Sequence, residues 1–172
     1  MAYTYSKLGS YTVDSGGINE IVFAAIPQNY TDLKLEISAK CNRANEYASL
    51  LIYPNGSSTN GTTRTLQNNG SAANSQDTAA IVILNLQGNV ATQANIFGSA
   101  NVYILNYTSS NYKSFSMDGA GENNATTAYA TLNAGLWSNT AAITSLNVVT
   151  GNTSYPIMQY STVTLYGIKA EV

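Results

Sequence analysis

From Asp32 the chain alternates strictly between two kinds of side chain: Leu33, Leu35, Ile37, Ala39 and Cys41 are apolar, while Lys34, Glu36, Ser38, Lys40 and Asn42 are polar. A period of two over ten residues is that of a strand with one dry and one wet face, and a slip of one residue would expose every apolar group. The register is therefore well specified, and an antiparallel sheet is the natural setting for it. Pro27 and the turn residues Asn29 to Asp32 mark where the strand begins.

The remaining chain reads as more of the same. Tyr3 to Val13 is a first strand or an extended arm, taken with its turn as residues 1–14, and Asp14-Ser15-Gly16-Gly17 closes it. Ile18 to Ala25 carries Ile21-Val22-Phe23, apolar on both faces, which predicts a buried strand or a covered edge. Glu46 to Tyr53 precedes the Pro54-Asn55-Gly56 turn, and Ala79 to Leu86 holds the run Ile81-Val82-Ile83-Leu84, suited to a central strand. Between them, Gly56 to Asp77 is rich in Ser, Asn, Thr and Gly and reads as a long polar loop (56–77) with room for a short strand at Thr63 to Gln67.

Beyond the break at Gly88 to Gln93, Gly98, Ala100, Val102 and Ile104 form an inward row with Tyr103 opposite. Asn106 to Tyr112 is a turn, and Phe115 and Met117 mark a strand that ends in Asp118-Gly119-Ala120-Gly121-Glu122. In Ala125 to Trp137 helix formers compete, but Ala128, Ala130, Leu132, Ala134 and Leu136 share one two-residue phase and Gly135 weakens a helix. This strand and Ile143 to Val149 read as a hairpin about Ser138-Asn139-Thr140. Gly151 to Pro156 is a loop, and in the last strand, Gln159 to Lys169, a bulge at Tyr166-Gly167 would bring Ile168 inward. About nine to eleven short strands without a helix predict an all-β fold: one antiparallel two-sheet β-sandwich spanning 1–172, of jelly-roll type.

Chemistry is scarce. With no His and one Cys, histidine triads, imidazole acid–base catalysis and thiolate metal clusters are excluded. Cys41 falls on the inward phase and reads as a buried small hydrophobe. Gly119-Ala120-Gly121 is too little for a dinucleotide or phosphate loop. Asp118, Glu122, Asn123 and Asn124 form the richest oxygen cluster, a candidate calcium loop without regular ligand spacing, for which a hydrogen-bonded turn is the favoured reading. Asp118 and Glu122 are also the one carboxylate pair to consider for glycoside hydrolysis. The 13 Tyr with abundant Asn suit a sugar-binding face, but Tyr is equally a good strand residue. No catalytic, cofactor-binding or metal-binding residue is assigned, and no cofactor is expected.

Charged residues make up only 9% of the chain, net charge is -2, and Asn, Ser and Thr supply roughly a third of it, well above ordinary usage. Seven scattered Lys and Arg give no basic stripe for nucleic acid. No apolar run approaches the roughly 18 residues of a membrane span, and Met1 to Tyr5 lacks the basic-then-apolar start of a secretory leader, which argues against secretion by the general route and for synthesis in the cytoplasm. Asn-X-Ser/Thr triplets such as Asn29-Tyr30-Thr31 and Asn106-Tyr107-Thr108 are what this composition gives by chance. A nearly neutral chain lacks charge protection against self-association, which suits life in an assembly.

Several segments resemble virion proteins of tailed bacteriophages. They are Phe23 to Lys40 (F-x-x-I-P-Q-x-Y-T-D-L-x-L-x-x-S-A-K), Asn106 to Lys113 with Glu122 to Thr126, Ala134 to Ser145, and Gln159 to Lys169. The resemblance implies a non-enzymatic β-sandwich on the exterior of the phage particle: a head decoration or cement protein that binds the major capsid protein or another virion protein, as a homo-oligomer with a trimer favoured. The alternative it implies is a tail fibre or receptor-binding module touching host-surface glycan, in which case carbohydrate is a partner. Under the first reading, the Tyr3 to Val13 arm or the Gly56 to Asp77 region lies against capsid.

Overall fold

The computed structural model describes residues 3–45, 47–70, 72–88 and 95–170, without the side chains at 3, 84, 85 and 170. Twelve strands follow one another: β1 (Tyr3–Thr12), β2 (Glu20–Phe23), β3 (Asp32–Ala39), β4 (Tyr47–Pro54), β5 (Gly61–Asn68), β6 (Ala73–Thr78), β7 (Val82–Gln87), β8 (Gly98–Ile104), β9 (Lys113–Glu122), β10 (Ala128–Trp137), β11 (Leu146–Thr150) and β12 (Thr162–Ala170). They build two antiparallel sheets, an eight-stranded one in the order β1-β12-β3-β8-β9-β10-β5-β6 and a four-stranded one in the order β2-β11-β4-β7. No helix occurs among the described residues. The all-β sandwich is as expected; an eight-and-four partition does not by itself establish the jelly-roll winding.

β3 holds the register that its alternation demands. Leu35 lies opposite Leu165 of β12 on one side and Val102 of β8 on the other. Leu33, Leu35, Ile37 and Ala39 are all buried and face the same core as Val102, Ile104, Val163 and Leu165. Burying each of the larger side chains contributes about 1.5–3 kcal/mol. From the small sheet come Ile21, Leu50, Ile52, Leu146 and Val148, also fully buried. The inward row Gly98, Ala100, Val102 and Ile104 is present as expected, with Tyr103 on the outer face, where its Oη donates to Asp32 Oδ2 at 2.7 Å.

The small sheet spans more of the large one than its strand count suggests. At one side the Phe23 ring of β2 lies against Gly9 of β1, and at the other β7 packs across β9 and β10. β5 and β6 project past this cover, and β6 is exposed along nearly its whole length. The join is stitched by one hydroxyl: Thr63 Oγ1 donates to the Ala80 carbonyl (2.7 Å) and accepts from Val82 N–H (3.2 Å), so a β5 side chain serves the open edge of the other sheet.

Several expectations need correction. The short strand expected at Thr63 to Gln67 is present within β5, but the rest of the 56–77 region is not one long loop: β6 follows, and the two form a hairpin paired from Thr63↔Thr78 to Asn68↔Ala73. Hydroxyl and amide side chains hid it, because its inward positions are Thr63, Thr65 and Gln67 rather than aliphatic residues. Of the two readings of Tyr3 to Val13, a first strand or an extended arm, the strand holds: β1 pairs with β12 along its length, and the bulge lies on β1 between Lys7 and Gly9, not at Tyr166-Gly167. Gly167 instead stays on the inward phase, and the Tyr30 ring fills the place a side chain would take.

β10 and the segment after it are not a hairpin. β10 pairs with β9 and β5, whereas β11 joins β2 and β4 in the other sheet. Asn55 pins the crossing between them, accepting from Thr144 N–H (2.8 Å) and Ser145 N–H (3.2 Å) and donating to the Ala142 carbonyl (2.9 Å). The run that starts at Ile81 leads into β7, an edge strand and not a central one; Ile81, Val82 and Ile83 are buried, and β7 lies over β9 and β10. β2 is also an edge, and its Val22 is exposed rather than covered. The expected strand start at Glu46 falls on a residue outside the described set, and β4 begins at Tyr47; residues 89–94 of the expected break lie outside it too.

The close packing at Gly167 is directly testable. A Cβ there would sit 2.5–2.7 Å from three atoms of the Tyr30 ring. Gly167→Ala is expected to lower stability by about 1–3 kcal/mol, with part of the loss recovered in Gly167→Ala/Tyr30→Ala. Urea unfolding midpoints check this, and an unchanged midpoint for the single variant would refute the packing described.

Candidate functional site

Two surface features stand out, and the β5–β6 hairpin contributes to both. The first is on the outer face of the large sheet. In β10 the structure buries the odd phase, Tyr129, Thr131, Asn133, Gly135 and Trp137, and turns Ala128, Ala130, Leu132, Ala134 and Leu136 outward. The reason lies in the neighbour. β9 points Phe115 and Met117 inward, the antiparallel register sets Gly135 opposite Phe115, and a Cβ at Gly135 would already meet Met117 at 2.9 Å. The phase with Trp137 and a glycine gap fits that surface; the aliphatic phase does not.

The polar groups this brings inside are paired. Thr65 Oγ1 donates to Asn133 Oδ1 (2.8 Å), Asn133 Nδ2 to Thr131 Oγ1 (3.3 Å), and Thr131 Oγ1 to the Gly119 carbonyl (3.4 Å), a chain that removes most of the cost of burial. Lys113, fully buried, donates to the Asn111 carbonyl and lies 5.9 Å from the Trp137 ring centroid; desolvation holds its pKa below the ordinary lysine value. On the outside, Leu132 (64% exposed) is directly opposite Leu66 (61%) of β5, with Leu136 (41%) two outward positions further along β10, beyond Ala134. Arg64 and Asp77 form an exposed ion pair at 3.1 Å beside them. A hollow of about 550 Å³ runs between these groups.

The second feature is a groove at one end of the sandwich. A hollow of about 430 Å³ is lined by Cys41, Arg43, Ser49, Thr150, Asn152 and Tyr155, among others. A smaller one, about 170 Å³, is lined by Tyr47, Gln67, Asn68, Asn69, Asn74 and Tyr129. Arg43 joins them, its guanidinium 5.9 Å from the Tyr47 ring centroid, and the Tyr47 and Tyr129 rings are 5.7 Å apart at 56°. Neither β4 nor β10 shows in its own sequence that these tyrosines meet. Sheet-to-sheet packing brings them together.

The oxygen cluster considered for calcium does not converge. Asp118 is in mid-strand, not at a strand end, and accepts from Asn101 Nδ2 at 3.1 Å. Glu122, four residues on, accepts from Asn124 N–H, and Asn123 Oδ1 accepts from the amides of Ala125 and Thr127, an Asx-type turn between β9 and β10. Four residues of strand put about 13 Å between the two backbones, and each carboxylate accepts from its own neighbour, Asn101 or Asn124, rather than converging on one point. Among the described residues no group of three or more His, Cys, Asp or Glu side chains could hold a metal ion. Gly119-Ala120-Gly121 lies within β9, and Gly119 faces inward. The chain matches no protein-family model and no curated protein.

Cys41 is buried as expected, and burial pushes its thiol pKa up from 9.0 to about 12. A thiol whose folded pKa lies above its unfolded value leaves stability intact below pH 9.0 and erodes it as pH rises towards 12. At pH 10 the erosion is about 1.4 kcal/mol. Between pH 7 and 10 the protein should lose that much more stability than Cys41→Ala, by denaturant unfolding of both. The buried Lys40 and Lys113, whose lowered pKa values act in the opposite direction, are common to both proteins and cancel. Equal losses would show that the thiol ionises freely in the folded state.

Proposed function

We propose that this protein is a non-enzymatic structural component of a tailed-phage particle: a decoration or cement protein on the virion exterior that binds the major capsid protein, as a trimer, through the outer face of β9, β10, β5 and β6. The observation that carries the reading is the cross-strand pair Leu66–Leu132 on a face otherwise made of hydroxyls, amides, alanines and a few charged groups such as the Arg64–Asp77 pair. Large side chains that are more than half exposed and directly adjacent stay in water at a cost that a partner surface would relieve.

The sequence resemblance supplies the context, and the surface composition agrees with it. A nearly neutral exterior forms hydrogen bonds over a wet interface, and many weak contacts repeated on a lattice add up by avidity. The β5–β6 half of the face, with Leu66, belongs to the 56–77 region that the resemblance led one to expect against capsid, whereas Leu132 comes from β10.

Leu66→Ser/Leu132→Ser should leave folding unchanged, since both side chains are exposed, and should reduce occupancy on particles at least tenfold, about 1.4 kcal/mol or more per docked copy. Cryo-microscopy of particles mixed with either protein reads this. Density at lattice positions on the head, lost in the variant, supports the proposal. Density confined to the tail, or full occupancy by the variant, rejects it.

A further inference from the structure

The groove around Arg43 is not needed for docking, and it has the chemistry of a ligand site. Its small hollow is walled by two phenol rings and four amide side chains, with no charged group among its lining residues. At about 170 Å³ it is well below the roughly 300–1,000 Å³ of sites for drug-sized ligands, which leaves room for one ring. The amides are held in place by the hairpin: Asn68 Oδ1 accepts from Gly70 N–H, and Asn74 Nδ2 reaches the Ala72 carbonyl at 3.5 Å. With Gln67 and Asn69, these two residues place amide groups in the wall of the hollow beside the tyrosines.

Paired amide donors and acceptors beside an aromatic wall match a ring that carries hydroxyls on its rim and C–H groups on its faces. Aromatic side chains contribute apolar contact at low conformational cost, and Asn adds adaptable hydrogen bonding. The one cation at the rim is Arg43, half-buried and stacked on Tyr47, and among the described residues no carboxylate pairs with it. A guanidinium so placed suits a carboxylate, which it can bind through two parallel N–H donors. On its far side the larger hollow, with Ser49, Asn152 and Tyr155, has space for a second unit.

We infer that the groove binds an acidic saccharide, with a sugar ring between Tyr47, Tyr129, Asn68 and Asn74 and its carboxylate on Arg43. The inference is independent of the capsid-docking reading, because neither Leu66 nor Leu132 lines the small hollow, and it can be tested in solution without particles.

The test is an NMR titration of the full chain with glucuronic acid and, separately, galactose, each to about 50 mM, far past a Kd of about 1 mM. Saturable shifts of Tyr47 and Tyr129 with glucuronic acid, at least severalfold weaker with galactose, are expected. Tyr47→Ala and Asn74→Ala should each weaken glucuronic acid binding about tenfold, and Arg43→Gln should abolish the preference for the acid. Tyr47 and Asn74 are exposed, so these variants keep the fold; Tyr160→Ala, an exposed tyrosine outside the groove, should bind as the unaltered protein does. Absence of saturable shifts with either sugar overturns the inference, as does binding that Tyr47→Ala and Asn74→Ala leave unchanged or an acid preference that survives Arg43→Gln.

Discussion

The structure depends on the register of β3 between β12 and β8. With Leu33, Leu35 and Ile37 committed to one face, every strand to either side must present the same phase to the core: Val163 and Leu165 on β12, Ala100, Val102 and Ile104 on β8, Phe115 and Met117 on β9. The phase propagates outward from the centre through ladder hydrogen bonds, and a strand has no independent choice once its neighbour is fixed. That is why β10 buries a row containing Thr131 and Asn133 while exposing one containing Leu132 and Leu136. Alternation in β10 was compatible with either orientation. Its neighbour, and the bulk of Trp137, decided the matter.

The second constraint is a mismatch of width. Eight strands at about 4.8 Å span roughly 34 Å between outermost axes and four span roughly 14 Å, so the smaller sheet can cover the larger only by crossing it, from β2 over β1 to β7 over β9 and β10. It stops there. β5 and β6 extend past the cover, where the dry interior gives way to Thr63, Thr65 and Gln67. Thr63 closes the junction with its hydroxyl, and the Thr65–Asn133–Thr131 chain keeps polar groups satisfied at the margin of the core. The overhang follows from strand count, and its polar inner face from the lack of a facing sheet.

These constraints explain what could be read from the chain. β3, β8 and the inward Cys41 were legible because one face of each is sealed by aliphatic packing, so burial wrote a period of two into the sequence. β6 left no such trace: Ala73 to Asp77 are exposed on both faces, and no alternation is selected where neither face is buried. The sandwich class was legible from strands and turns. Partner assignment was not, because the separation of β10 from β11 depends on Asn55 and the backbone of 142–145, a contact across nearly ninety residues of chain. The same holds for the groove. Tyr47 and Tyr129 belong to different sheets, and only the sandwich brings their rings to 5.7 Å.

The β5–β6 hairpin has β10 as its one neighbour in the sheet, and the two candidate surfaces divide it between them. Leu66 points outward beside Leu132, while Gln67 and Asn74, a cross-strand pair on the other phase, line the groove. Strand geometry thus separates an apolar contact from an amide-lined one by a single residue step, from Leu66 to Gln67. The two faces are chemically insulated and mechanically joined: exchange of either side chain leaves the other surface intact, whereas loss of β5–β6 pairing removes both. Because β6 is held by β5 alone, that pairing is the least buttressed part of the large sheet, and any partner seated on Leu66 and Leu132 would at the same time stiffen the strand that presents the amides.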